Sequence, residues 1–368
     1  MKTRIEQRKM KKSAYKTISV TAALLILTAW VAPSQEVSRD YSRTFTVTPS
    51  EGVVISNRYG DVTVETWNSN EVVIEVKVKV ELSSRDRSER LVELINIDFF
   101  ENDTAVGATT RLDDRFSATT RGTGTNRFSI DYKVKMPAGN NLEISNRYGN
   151  VKITEHPGRV NINVRYGNFY ALKLTRGNEK PINTISVSYG KAVIEEANWL
   201  SVIARYAPEV TVTRVQAMMI DSRYSKVIVD KAGSIVADSK YDNISLREVN
   251  NFVAETGYAS VKIGSLSGKL DLTTRYGSVE VTSIPAGFEA INIDAAYTGV
   301  GLGIAPAAEY RLDARVSYAG LTYCEECLDI QRRIVESTSR EIAGVAGTDP
   351  NPQATVTIRA SYGSVRLR

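Results

Sequence analysis

The chain has 368 residues, 42% of them hydrophobic, which supports a folded core and argues against global disorder. Its 47 Lys and Arg outnumber its 42 Asp and Glu, but residues 1–34 hold seven of the basic residues and one acid, which leaves 40 and 41 for the rest. A body of net charge −1 lacks the electrostatic footprint of a phosphate-tracking surface, so nucleic acid is not an expected partner.

Residues 1–34 read as an export signal. Lys2, Arg4, Arg8, Lys9, Lys11, Lys12 and Lys16 precede an apolar run over residues 18–32, and Ala32-Pro33-Ser34 supplies small residues for cleavage before Gln35. The run is about 15 residues, short of the ~20 that span a bilayer comfortably. A cleaved signal peptide is expected. An uncleaved anchor is the alternative, and would be the only membrane contact. No Cys stands at the cleavage point to carry a lipid. The expected location is the periplasm, outer membrane or surface of a bacterium.

Residues 35–147 read as an N-terminal β region. It holds a first repeat around Tyr59, an alternating strand over 72–80, and a helix from Ser84 to about Ile95 with Leu91, Val92, Leu94 and Ile95 as its apolar stripe. A polar Thr/Arg/Gly-rich stretch over 109–125 and a strand around 128–134 follow.

Residues 148–323 carry the regular part. Tyrosine recurs at Tyr148, Tyr166, Tyr189, Tyr206, Tyr224, Tyr241, Tyr258, Tyr276, Tyr297 and Tyr318, mostly 17 or 18 residues apart. Such a beat marks stacked repeats. Around Tyr276, the residues Leu270, Leu272, Thr274 and Tyr276 alternate with polar ones, then Val279 and Val281 resume with inverted parity after Gly277-Ser278. The parity jump predicts a bend at the glycine. It also predicts an inward, core tyrosine, with a small inward residue two positions before it making room for the ring.

Residues 324–353 interrupt the beat with a C-x-x-C, a weak helical pattern over 328–342 and a Gly/Asp/Pro/Asn loop, and 354–368 read as a final coil around Tyr362. The expected fold is all-β: a parallel β-solenoid, a single-stranded and right-handed β-helix of about 12 coils of 17–18 residues. The small helical or irregular insertions are expected to cover its edge strands.

Three sets of residues carry chemical candidates. Cys324 and Cys327 are expected to form a local disulfide in an exported protein. A metal site would need further ligands, and the only histidine, His156, reads as a corner residue; a single histidine also leaves no triad to assemble elsewhere. Asp221, Asp238 and Glu255 are expected on three successive rungs, ~4.8 Å apart. They share an outward face with the basic column Arg58, Arg147, Arg165, Arg205, Arg223, Lys240 and Arg275, which immediately precede tyrosines. Two readings stay open for the acids: mutual neutralisation with the basic column, or Ca²⁺ binding and acid–base work in polysaccharide cleavage. No cofactor or metal is expected on the first reading.

The run Ser56-Asn57-Arg58-Tyr59-Gly60-Asp61-Val62-Thr63-Val64, followed by Trp67 and Asn70-Glu71-Val72, resembles the bacterial "putative adhesin" family of exported β-strand-repeat domains. So do Tyr132-Lys133-Val134-Lys135-Met136-Pro137-Ala138-Gly139 and Asn146-Arg147-Tyr148-Gly149-Asn150-Val151. The resemblance covers roughly residues 40–368 without the 324–353 insertion. It implies a parallel β-solenoid at the envelope or surface and brings no catalytic residues. The expected function is therefore a non-enzymatic adhesin or envelope scaffold with glycan or protein ligands. The alternatives are a carbohydrate-active enzyme using Asp221, Asp238 and Glu255, and a periplasmic signalling accessory. Oligomeric state is not legible.

Overall fold

Period-two alternation of apolar and polar residues turns most of the chain into strand. The computed structural model describes residues 36–120 and 127–368; the segment read as an export signal lies outside them. The N-terminal elements are β1 (Glu36–Thr46), β2 (Gly52–Arg58), β3 (Val62–Trp67), β4 (Glu71–Glu81), α1 (Arg85–Glu93), β5 (Ile95–Glu101), β6 (Ala105–Leu112), α2 (Phe116–Thr120) and β7 (Arg127–Pro137). Next come β8 (Leu142–Arg147), β9 (Val151–His156), β10 (Val160–Arg165), β11 (Phe169–Leu174) and β12 (Asn183–Ser188). Longer strands follow: β13 (Ala192–Arg205), β14 (Val210–Arg223), β15 (Lys226–Lys240), β16 (Asn243–Gly257), β17 (Ser260–Ile284) and β18 (Ala290–Ile304). The chain finishes with β19 (Tyr310–Ser317), β20 (Gly320–Thr322), β21 (Leu328–Val335), β22 (Ser339–Ala346), β23 (Thr355–Ser361) and β24 (Ser364–Leu367).

The expected single-stranded parallel solenoid is not what these strands build. They join in one 24-stranded sheet of mixed sense. Among the described residues five ladders are antiparallel: β1–β4, β4–β7, β5–β6, β19–β22 and β21–β22. The tyrosine beat records the register of the parallel part alone, where Asp221 faces Asp238 and Asp238 faces Glu255. The stretches without the beat, read as insertions, contribute strands to the same sheet. Spatial order also departs from chain order. β23 lies between β18 and β19, and β24 between β18 and β20. A helix laid down coil after coil would have placed these last strands beyond β19.

Local chemistry explains the two helical expectations. Ser84 caps α1 with extended backbone and its hydroxyl accepts the Arg87 amide. Leu91 and Val92 are buried, while Ile95 already belongs to β5. Over 328–342 the helical expectation fails. β22 pairs with β19 along its whole length and with β21 on its other side, so ladder hydrogen bonds outweigh a weak amphipathic pattern.

The core runs along the inward positions of each rung, such as Leu270, Leu272, Val279, Val281 and Ile284. The small residue two before each tyrosine is inward as well. Asn57, Asn146, Ser222, Ser239, Thr256 and Thr274 are the buried polar members of that column. Burying them is tolerable because they are bonded. Asn57 and Asn146 Nδ2 both donate to the Gly60 carbonyl, and Thr256 donates to Thr274. Asp242, 2% exposed, accepts from Ser222 Oγ (2.7 Å), Ser239 Oγ (2.6 Å) and the Ser225 amide (2.6 Å). A second ladder runs through Asp61, Asn150 and Asn168. Each side-chain oxygen accepts the amide of the next rung, ending at Lys191 N.

Successive rungs approach most closely just after the tyrosine. A Cβ on Gly190 would lie 1.7 Å from the Gly167 carbonyl oxygen. Gly190→Ala is expected to cost roughly 1–3 kcal/mol as an overpacking change. Urea unfolding measures it, and an unchanged midpoint would show that the rungs do not meet there.

Candidate functional site: the tyrosine-edged face

The strand before each tyrosine alternates strictly, so continuing it would carry the ring indoors. The backbone does not continue. All twelve tyrosines of the series, Tyr59 to Tyr362, have φ between 51° and 68°. This left-handed conformation is unusual for a bulky residue and reverses the side chain's direction. The expected core position is thereby corrected. Tyr148, Tyr166, Tyr189, Tyr206, Tyr224, Tyr241, Tyr258, Tyr276, Tyr297 and Tyr318 all lie at the surface, from 40% exposed at Tyr148 to 61% at Tyr318.

Outside, the rings form a continuous stack. The order is Tyr59, Tyr148, Tyr166, Tyr189, Tyr206, Tyr224, Tyr241, Tyr258, Tyr276, Tyr297, Tyr362, Tyr318. Neighbouring centroids are 4.8–5.2 Å apart and the planes within 11° of parallel. Phe116 and Phe128 pack on Tyr59 at one end. Ten of these tyrosines donate their amide to a neighbouring strand, as in Tyr148 N to Arg165 O (2.9 Å) and Tyr241 N to Gly257 O (2.9 Å). Ring faces are consumed by mutual stacking, so solvent meets mainly ring edges and hydroxyls. The face can therefore offer hydrogen bonds and positive ring edges along a line, and does not offer open aromatic faces along its length.

The acidic column sits on the same side. Asp221, Asp238 and Glu255 are in register on β14, β15 and β16. Arg205 pairs with Asp221 at 2.6 Å, and Arg223 bridges Asp221 (3.2 Å) and Asp238 (3.0 Å). Surface pairs of this kind are worth about 0–1 kcal/mol each. Their chief effect is to separate like charges stacked directly opposite one another. The three acids line a shallow groove of about 580 Å³ with Met219, Val236 and Val253, whose side chains are about half exposed. Among the described residues no group of three or more His, Cys, Asp or Glu is placed to hold a metal ion.

His156 is wholly buried, and its Nε2 lies 3.0 Å from the Asn140 carbonyl, which assigns the proton to Nε2. Nδ1 has no partner. Burial lowers its pKa from 6.5 to about 4. It is an internal corner residue, away from the tyrosine-edged face. Cys324 and Cys327 form a disulfide, with Cα atoms 5.3 Å apart.

Sequence reasoning missed the left-handed corner. The signal was present as Tyr followed by Gly or a small residue. Periodicity places the bend at the glycine, whereas the tyrosine itself carries the unusual angle. Asp242 was also missed; its signal is the pair of serines, Ser222 and Ser239, at the inward position.

No family model matches the chain, and no curated protein matches it. Among solved structures it is similar to a putative adhesin from Parabacteroides merdae ATCC 43184 (14% identity, 72% of this chain and 95% of that one, TM-score 0.37). It is also similar to a putative cell adhesion protein from Clostridium sporogenes ATCC 15579 (11% identity, 89% and 99%, TM-score 0.20). A third is a putative lipid binding protein from Parabacteroides distasonis ATCC 8503 (13% identity, 72% and 96%, TM-score 0.35).

Two outcomes test this geometry. Tyr224→Ala loses two stacking partners and keeps the strained corner, about 1–3 kcal/mol. Tyr224→Asn loses the same partners but relieves the corner, so it should cost about 1 kcal/mol less. Equal losses in chemical denaturation would show that backbone strain does not govern the site. For His156, the unfolded chain takes up a proton near pH 6.5 that the folded state refuses until about pH 4. Its contribution is therefore complete above pH 6.5 and lost as pH falls toward 4, at most about 3 kcal/mol. His156→Gln should flatten that part of the stability–pH profile; a parallel profile would overturn the buried neutral assignment.

Proposed function

We propose that this chain is an exported, non-enzymatic binding module that presents the tyrosine-edged face to glycan or protein ligands at a bacterial envelope or surface. The supporting observation is that twelve tyrosines occupy corners where Gly or Asn would be less strained. A corner alone does not call for an aromatic ring. A ring there supplies both a self-stabilising stack and a line of exposed hydroxyls.

Export draws support from the signal-like residues 1–34 and from the Cys324–Cys327 disulfide, since such bonds persist in oxidising compartments. The non-enzymatic reading draws support from the occupied acids, Asp221 and Asp238 being engaged by Arg205 and Arg223. It needs neither cofactor nor metal.

The test uses the purified protein against a panel of polysaccharides and matrix proteins, with both retention and product release measured. Replacing Tyr189, Tyr206, Tyr224 and Tyr241 together by Asn should abolish retention while the protein remains folded. Release of glycan fragments, lost in Asp221→Asn and Asp238→Asn, would establish the enzyme reading instead. Protease treatment of intact cells addresses location. Protection until the outer membrane is permeabilised would remove direct adhesion and favour a periplasmic accessory.

A further inference from the structure

The residue immediately before the tyrosine forms its own column, and that column changes character along the sheet. Arg58, Arg147 and Arg165 stand directly opposite one another on β2, β8 and β10. Farther along, Arg205 and Arg223 occupy the same column, interleaved with Asp221 and Asp238. The first three have no such relief. Among the described residues none of them is within ion-pair distance of a carboxylate, although like charges directly opposite repel. The outward positions beside them hold Ser56, Ser145 and Asn163 where the later rungs hold acids. Within β2, β8 and β10 Glu143 is the one acid, two outward positions back from Arg147, and it forms an ion pair with none of the three arginines.

Two of these guanidiniums are also held in place. Arg147 Cζ lies 4.9 Å from the Tyr148 ring centroid and 5.7 Å from that of Tyr166, and its Nη2 donates to the Tyr148 hydroxyl at 3.0 Å. Its Nε is sheltered from solvent without any acceptor. Arg165 lies 5.8 Å from the Tyr166 ring. Both faces of Tyr148 and Tyr166 are covered by neighbouring rings, so the guanidiniums lie beside the stack; with one Nη2 hydrogen of Arg147 on the Tyr148 hydroxyl, the remaining N–H groups are left for a carboxylate, sulfate or phosphate. The result is a line of three cations, one per rung, two of them held against the tyrosine stack, with hydroxyl and amide groups on one side and tyrosine hydroxyls on the other.

We propose that Arg58, Arg147 and Arg165 form a binding strip for an acidic polysaccharide, a linear glycan bearing carboxylate or sulfate groups. The proposal rests on the binding-module reading and names its ligand class. The alternatives fit less well. Single-stranded nucleic acid wants open aromatic faces for base stacking, and these faces are already stacked on each other. An anionic membrane is attracted by larger basic clusters, about four to eight residues, or by an apolar face, and the strip has three cations and no aliphatic neighbour that is prominently exposed. A linear glycan matches both the one-dimensional spacing of charges and the flanking hydroxyls.

The experiment measures binding of the purified protein to polygalacturonate and heparin, with dextran as the neutral control and duplex DNA and phosphatidylglycerol vesicles as the other polyanions. The triple variant Arg58→Gln, Arg147→Gln, Arg165→Gln should weaken polygalacturonate or heparin binding at least about tenfold at low salt and flatten its salt dependence. An equal charge loss on the other outward face, Lys226→Gln, Lys262→Gln, Arg366→Gln, should change it less than twofold. If the triple variant is poorly folded, each single variant should give a two- to fourfold loss. Arg147→Lys should lose as much as Arg147→Gln if the fork matters. The proposal is overturned if both triples act equally, if dextran binds as well, or if only DNA or vesicle binding responds. Retention of a neutral glycan or a protein that depends on the tyrosines and ignores the arginines would reject the strip and leave the binding-module reading standing.

Discussion

At twelve corners the backbone turns through a left-handed tyrosine, and the rest of the sheet is arranged around that turn. A bulky residue pays about 1–2 kcal/mol for such a conformation. Stacking on a neighbouring ring returns about 0.5–1.5 kcal/mol per pair. The two nearly cancel for each interior rung, so no corner is stable by itself and each is stable beside another. This makes the tyrosine a device of association between rungs. Its amide also stays in the ladder, so the turn costs no backbone hydrogen bond.

The same corner decides what faces outward. Because the ring leaves the core, the inward position two residues earlier need only fill a narrow space, and Ser, Thr, Ala, Asn or Val suffices. Where that residue is polar and buried it is bonded, to Asp242, to a neighbouring carbonyl or, for Thr256 and Thr274, to its counterpart on the next rung. The outward surface then carries three adjoining columns: ring edges, the basic residue before the ring, and the residue two positions farther back. Their composition drifts from Arg with Ser or Asn at the N-terminal rungs to Arg with Asp at the central ones. One backbone repeat thus presents two electrostatic environments.

Much of this was legible in the sequence, and the failures share a cause. The beat, the alternating core positions, the capped helix at Ser84 and the register of Asp221, Asp238 and Glu255 follow from periodicity and local chemistry. The direction of the tyrosine ring does not, because parity assumes extended backbone and one residue in each repeat is not extended. The mixed sheet was missed for a related reason. A repeat reports which segments resemble one another, and says nothing about β4 or β22, which pair antiparallel without resembling any rung. The residues of the arginine strip were visible as a column. Their lack of carboxylate partners emerged only once the neighbours were placed.

The position of β23 and β24 has a consequence for how the sheet is assembled. These strands occupy the slot between β18 on one side and β19 and β20 on the other, so β19 has no direct seat on β18. β19 to β22 precede Thr355–Leu367 in the chain, and apart from side-chain packing such as Tyr310 on Phe288 it is that last segment that ties them to β18 through ladder pairing. The C-terminal end is therefore closed by a keystone: closure is non-local and depends on the segment that is synthesised last among those it joins. Loss of the keystone would release β19 to β22 as a unit, which makes this end a separate cooperative layer rather than one more step in the ladder.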